Sequence, residues 1–502
     1  MAATANKRVP SRLGILPALV ALGGVSPASA LDWTVSPSVG AKAIYTDNVR
    51  QSSSNTEDAL ILGVTPGVSL TSKGSRRVQA ALRYGLSAVK RFGGDDDGEL
   101  YHNLNATGKA ELVEDFLFID GNARVSQELI SLLGSPADPS VNGGNLATVG
   151  SYTISPYIKK RLGSFANAEM RYRLTGAIFS NDAANDVNSS TFSASLKSGS
   201  RFNTVFWGLD YFLRDATVRG GDDAQFEHVD ATLGYRLSPR FRVFGKVGYD
   251  SNDYAATPGV DLSGRSWSAG AGWTPNRRTQ VEASLGDSYF GRTYGLDLGY
   301  RTRHSTWTAK YQEGVSDIAQ QLLNTQPYYF WQCDGGLFVG TLLTPPSGQT
   351  NCVILGVAPT GSIPLGTANG VYVSKTLRGG AAWSKGKSSL GLNLFTTRRQ
   401  YQQLVGLPED RVMGLTANYA YRLQPLTTLN ALLGYTHTRS AAGLNTPTTR
   451  DDDLYTVSVG VSHRFDPKLT GALTLRHQQR NSNEPTADFT ENTLTATVNM
   501  RF

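Results

Sequence analysis

The chain has 502 residues, with 53 Gly, 22 Tyr and 19 Phe but only 2 Cys and 4 Met, and charged residues make up 18%, below the roughly 25% of a soluble domain. A hydrophobic share of 40% excludes a bundle of transmembrane helices, and the aromatic content excludes a disordered chain. Two cysteines exclude a disulfide-dense scaffold or a thiolate cluster, which leaves an all-β protein rich in Gly, Thr, Ser, Asn and Tyr.

Residues 1–30 read as a secretory signal peptide. Lys7, Arg8 and Arg12 form its positive region, Leu13 to Val25 its apolar run, and Ala28-Ser29-Ala30 its cleavage site. The alternative, a short membrane anchor, is disfavoured because the apolar run is too short to cross a bilayer. Cleavage leaves residues 31–502 and lowers the formal charge from +7 to +4 by removing three basic residues. The chain is expected to leave the cytoplasm. No second apolar run stops it in the inner membrane, so periplasm, outer membrane and medium remain.

The rest of the sequence alternates with a period of two. Trp33, Val35, Pro37, Val39, Ala41, Ala43 and Tyr45 are apolar with small or polar residues between them. Leu60 to Leu70, Val78 to Leu86, Trp267 to Trp273, Tyr294 to Tyr300 and Val457 to Val461 repeat the pattern. Successive strand side chains point to opposite faces, so each segment has one apolar and one polar face. The linkers separate a soluble sandwich from a membrane barrel. Short ones (Lys73–Ser75, Gly163-Ser164, Ser238-Pro239, Thr274–Asn276, Gly386-Lys387, Asp466–Lys468) alternate with long ones at 48–58, 89–101, 129–149, 180–189, 215–225, 252–264, 315–370 and 438–452. The pattern predicts an all-β transmembrane antiparallel up-and-down β-barrel of about 22 strands, with 18–24 as the range, short periplasmic turns and long extracellular loops. Residues 31–502 form that one barrel, and 315–370 is its longest loop.

Tyr and Trp near strand ends, among them Trp33, Tyr45, Tyr235, Tyr249, Trp267, Trp273, Tyr300, Trp307, Tyr311, Tyr421 and Tyr435, keep the apolar parity expected of interfacial girdles. In the last segment Leu494, Ala496, Val498, Met500 and Phe502 alternate to the final residue. A terminal aromatic on an amphipathic last strand resembles the signal read by the bacterial barrel-assembly machinery.

Residues 264–313 carry Trp273-Thr274-Pro275, Arg278-Thr279, Glu282-Ala283-Ser284, Tyr289-Phe290-Gly291, Tyr294, Arg301-Thr302-Arg303 and Thr306-Trp307. With Tyr45-Thr46-Asp47-Asn48, Thr65-Pro66-Gly67 and the ending at Phe502, this block resembles the PEP-CTERM/exosortase-system-associated outer-membrane protein family. The resemblance implies an outer-membrane barrel encoded beside exopolysaccharide and exosortase genes, and carries no active-site assignment.

Catalytic signals are weak. The six histidines, His102, His228, His304, His437, His463 and His477, show no metal-ligand spacing, and neither a nucleophile elbow nor a phosphate-binding Gly loop occurs. His228 and Asp230 share one strand face and read as a lumen-lining pair rather than a catalytic dyad. No enzyme activity and no cofactor is expected. Cys333 and Cys352 are expected to pair in an oxidising compartment, with two free thiols as the alternative. The same loop holds Tyr328-Tyr329-Phe330-Trp331, an apolar run that would constrict the barrel mouth, dock a partner or saccharide, or pack on itself.

If the apolar parity faces lipid, the opposite parity faces the lumen. It carries Lys42, Arg83, Arg171, Arg173, Arg236, Arg242, Lys246, Lys310, Arg422, Arg464, Arg476 and Arg501, against Glu169, Asp230, Glu282 and Asp297. A net basic lumen concentrates anions, whereas an internal ladder of charges would neutralise and brace itself. Small inward residues such as Gly85, Thr232, Gly234 and Gly460 suggest room for water. The clusters Asp95-Asp96-Asp97, Asp182 with Asp186, Asp222-Asp223 and Asp451-Asp452-Asp453 fall in long linkers, as solvated charge or as ligands for Ca²⁺ or lipopolysaccharide-bridging cations. The near-neutral charge gives no reason to invoke nucleic acid.

The expected function is passage or export across the outer membrane. The expected partners are outer-membrane lipid and lipopolysaccharide, the barrel-assembly machinery, and exopolysaccharide or a periplasmic export component. The alternatives are a scaffold barrel sheathing a partner protein and, behind it, a barrel enzyme acting on lipid or glycan. Energised transporters of this strand number carry an N-terminal plug. With the first strand starting at Trp33, directly after the leader, none is expected here.

Overall fold

The structure, a computed structural model, describes residues 32–502 apart from 74–76, 94–97, 130–133, 135–140, 142–143, 181–184, 318–319, 321–327, 334–335, 341–352, 359–369, 403–407 and 442–448, and of 328–333, 336–340 and 353–358 it describes the backbone. The leader expected at 1–30 lies outside the described residues, as do Asp95–Asp97 and Asp182. Cys352 does too, and with it the expected Cys333–Cys352 bridge.

Fifteen strands lead to the longest loop: β1 (Asp32–Thr46), β2 (Ala59–Lys73), β3 (Val78–Phe92), β4 (Gly98–Val113), β5 (Leu117–Leu129), β6 (Leu146–Leu162), β7 (Ala166–Phe179), β8 (Val187–Ser198), β9 (Val205–Val218), β10 (Ala224–Ser238), β11 (Phe241–Tyr254), β12 (Ser263–Asn276), β13 (Thr279–Ser288), β14 (Gly291–Arg301) and β15 (Ser305–Asp317). The loop holds a separate antiparallel three-stranded sheet of β16 (Tyr328–Cys333), β17 (Gly336–Gly340) and β18 (Val353–Ala358). Then follow β19 (Val371–Lys385), β20 (Ser388–Tyr401), β21 (Glu409–Gln424), β22 (Thr427–Ser440), β23 (Arg450–Asp466), β24 (Leu469–Ser482) and β25 (Phe489–Arg501).

Apart from β16–β18, every strand pairs antiparallel with its neighbours in sequence, and β15 pairs with β19. β1 closes the sheet against β25, from Ser38↔Arg501 to Thr46↔Thr493. The result is a closed barrel of 22 strands, the architecture and number that the alternation predicts. Closure pairs the backbone groups that an open sheet would leave unsatisfied in lipid.

Burial is inverted relative to a water-soluble protein. Leu62, Val64, Leu174, Leu209, Leu233, Val247, Leu285, Leu415, Leu433 and Leu475 are all exposed on the outer face, the lipid face of such a barrel. The girdle residues Trp33, Tyr45, Tyr235, Tyr249, Trp267, Trp273, Tyr300 and Trp307 are exposed beside them. Apolar clusters form on the long-loop side instead, for example Ala216, Ala224, Phe226, Tyr254 and Val371.

Two linker expectations change. Asp451–Asp453 belong to β23 rather than to a loop, and several linkers are shorter than predicted; the one at 89–101 shrinks to 93–97. Above the lipid the outer face no longer needs apolar residues, so alternation stops while the hydrogen-bonded ladder runs on. The alternation of short and long linkers also has an exception. β13 and β14 meet, on the long-loop side, through the two residues Tyr289 and Phe290. Gly291 takes φ +113° there, in the left-handed half of backbone space that the tight turn requires.

Candidate functional site

The structure places all twelve sequence-predicted basic residues on the inward parity of their strands. They alternate with exposed apolar residues such as Tyr172 and Leu174 around Arg173, or Val461 and Phe465 on either side of Arg464. The stems of Lys42 and Arg242 lie flat on Gly63 and Gly272, where a β-carbon would meet them at 2.6 and 2.7 Å. Gly234 is likewise covered by the ring of Phe206, and the Arg236 guanidinium sits 4.9 Å from that ring's centre. These small inward residues therefore make way for a neighbouring strand's side chain rather than for water alone.

Acids are more numerous inside than the sequence reading has them. Asp120 takes Arg171 Nη1 at 3.1 Å, and Glu169 takes Arg171 Nε at 3.1 Å. Arg242 pairs with Glu282, and Arg476 reaches Glu491 Oε2 at 3.5 Å. Asp250 joins the pair seen in sequence: His228 Nδ1 lies 2.9 Å from Asp250 Oδ1, His228 Nε2 lies 2.6 Å from Asp230 Oδ1, and Lys246 Nζ lies 2.9 Å from Asp230 Oδ1. Both imidazole nitrogens are engaged by carboxylates, so neither is free to take a proton from a hydroxyl as a catalytic base would. Part of the interior is therefore a ladder of paired charge. Arg173, Lys310, Arg464 and Arg501 make no ion pair among the described residues. Asp250 shares parity with Arg242 and Lys246, and Glu491 with Arg501, so both were findable by extending the parity reading one or two positions toward the strand ends.

On the long-loop side several contacts cross the mouth. Arg214 on β9, 5% exposed, bonds Asp317 at the end of β15 and Ser189 Oγ at 3.0 Å. β9 and β15 are six strands apart, about 29 Å around the wall at ~4.8 Å per step. An ion pair between them requires the upper part of β15 to leave the wall and lean across. The short β13–β14 hairpin permits this. β14 pairs with β15 only as far as Leu296↔Tyr311, while β15 continues along β19 to Asp317↔Val371. Thr257 N donates to Gln402 O at 2.8 Å, a second link from the β11–β12 loop to the end of β20. On the other side, Arg91 Nε donates to Val141 O at 3.1 Å and Arg480 Nη1 to Gly134 O at 2.6 Å, which holds the β5–β6 loop to β3 and β24.

A cavity of about 370 Å³ lies where β15 leans over the β13–β14 turn, lined by Phe226, His228, Asp250, Tyr289, Phe290 and Glu313 among others. Tyr289 stands in that turn, and burial holds its phenol well above the ordinary range, so it enters any contact as a hydroxyl. Asp452 is buried and bonded by Arg450 at 2.8 Å, while Asp453 takes His437 Nδ1 at 2.9 Å, so this part of the expected acidic loop is a set of strand-end ion pairs. In the last segment Leu494, Val498, Met500 and Phe502 are exposed on the outer face, with Ala496 between them.

No family model and no curated protein matches the chain. Among solved structures it is similar to the FrpB iron transporter of Neisseria meningitidis (F3-3 variant), at 12% identity over 93% of this chain and 81% of that one, with a TM-score of 0.50. It is similar as well to a point mutant of the ferric enterobactin receptor of Pseudomonas aeruginosa in complex with enterobactin, at 8% identity over 94% of this chain and 82% of that one, TM-score 0.50. At such identities the likeness is one of architecture: the fold is that of an outer-membrane β-barrel.

Proposed function

We propose that the chain is an outer-membrane pore, serving passage or export within an exopolysaccharide and PEP-CTERM protein-sorting system. The observation that carries the pore reading is the uneven interior charge. Arg464 and Arg501, at the short-turn end, make no ion pair among the described residues, whereas buried carboxylates pair with Arg214, Arg450 and Arg399 toward the mouth. Unpaired guanidinium groups within low-dielectric walls attract anions. The link to exopolysaccharide and protein sorting has its support in the sequence resemblance at 264–313. In this reading the outer face meets lipid and lipopolysaccharide, and the last strand with Phe502 is presented to the barrel-assembly machinery. Exopolysaccharide or a periplasmic export component engages the interior or the short-turn end, and the barrel performs no catalysis.

The test is single-channel conductance of the refolded chain in a planar bilayer, with reversal potential under a salt gradient. The expected outcome is a steady conductance leaning toward anions, moved toward cations by Arg464→Glu with Arg501→Glu. A cation-selective wild-type channel would overturn the charge argument. The contacts across the mouth favour a second reading, a scaffold barrel around a partner protein, and a barrel without conductance would move that reading ahead, with recovery of whatever fills the lumen as the deciding step.

A further inference from the structure

The cavity beneath β15 has a chemistry that the basic interior does not predict. Its positive groups are spent. Lys246 is bound to Asp230 at 2.9 Å, Arg214 to Asp317, and both nitrogens of His228 to Asp230 and Asp250. Its negative groups are satisfied on one oxygen each, Asp250 Oδ1 by His228 and Glu313 Oε1 by Tyr311. Asp250 and Glu313 line the cavity, and Asp250 Oδ2 and Glu313 Oε2 are buried with no hydrogen-bond partner among the described residues. The Glu313 side chain is only 2% exposed, and its Oε1 is occupied by the Tyr311 hydroxyl, with Lys375 Nζ 3.8 Å away. A buried carboxylate oxygen without a donor is costly, so these two oxygens favour a ligand that donates hydrogen bonds and carries positive charge. The remaining wall is mixed: Phe226, Tyr289 and Phe290 supply aromatic rings, and Asn252, Ser266 and Ser268 supply polar side chains. An ammonium group on a hydrocarbon stem meets all three conditions, since it donates, neutralises, and is attracted to aromatic faces.

We propose that this cavity is a binding site for a small organic ammonium ion. Its ammonium is held by Asp250 and Glu313 and its stem lies against Phe226, Tyr289 and Phe290. The site is built by the two-residue β13–β14 turn and the leaning end of β15, and it is independent of whether the barrel conducts.

The test is calorimetric titration of the refolded full chain in detergent with n-hexylammonium chloride. Hexan-1-ol, glucose and calcium chloride are run in parallel. Saturable binding of hexylammonium alone is expected, weakened at least tenfold by Glu313→Gln and by Asp250→Asn in variants that keep the heat-modifiable mobility of the folded barrel. The comparison of hexylammonium with hexan-1-ol on the unmodified chain reads the charge requirement even if neither variant folds. Equal binding of the alcohol, tighter binding of glucose or calcium, affinity unchanged in both variants, or no saturable heat would each overturn the proposal.

Discussion

Asn48 shows how much one polar residue does at the seam where the barrel closes. It is 1% exposed, and its amide donates to Ser52 O at 2.8 Å and to Thr490 O at 2.9 Å while accepting from Ser52 N at 3.1 Å. Beside it Asp47 accepts from Asn492, and the Thr46 hydroxyl donates to Glu491 Oε1 at 2.9 Å. The run Tyr45-Thr46-Asp47-Asn48 is thus a polar staple between the first strand and the last. Asn48→Ala leaves two carbonyls and one amide without partners, which costs about 1–3 kcal/mol. Urea titration of the refolded barrel should show that loss, and an unchanged midpoint would mean that water replaces all three bonds. The motif was visible in sequence as part of a resemblance, but its role was not, because its partners on the last strand lie more than 440 positions away.

At the scale of elements, the departure that matters is the short β13–β14 hairpin. Without it β15 would stay in the wall, and Asp317 could not reach Arg214. Asp317→Ala leaves the Arg214 guanidinium buried with no counter-charge, a loss of about 3–5 kcal/mol where a buried pair is broken on one side. That loss is local to the lean of β15, so the expected result is a mouth that opens more often. Planar-bilayer recordings would show it as longer dwell in a higher conductance level. Recordings indistinguishable from those of the unmodified chain would mean that this contact does not restrict the mouth. The hairpin's Tyr289-Phe290-Gly291 was read as part of a family signature. Its consequence, a notch in the rim and a cavity behind it, depends on how far each neighbouring strand rises, which alternation does not encode.

For the molecule as a whole, the closing pair of β1 with β25 makes the last strand the one whose arrival completes the sheet. Phe502, 59% exposed on the outer face, has its amide hydrogen-bonded to Pro37 O at 3.0 Å. If the terminal aromatic is the assembly signal, removing Phe502 lowers the fraction of folded barrel in outer membranes several-fold, read as the heat-modifiable band. The in vitro refolding yield should stay near that of the full chain. Equal folded fractions in cells would discard the assembly role.

What the sequence determined by itself is the barrel. A two-residue period and the spacing of turns specify strand number and the parity of the exposed apolar residues, because both are local consequences of backbone geometry. Which charges meet was decided only by tertiary structure. Arg171 finds Asp120 on a strand two places away, Arg214 finds Asp317 across the mouth, and Glu491 finds Thr46, Gln51 and Arg476 at the closing seam. These pairings follow from register, strand height and closure, quantities that exist only once every strand is in place.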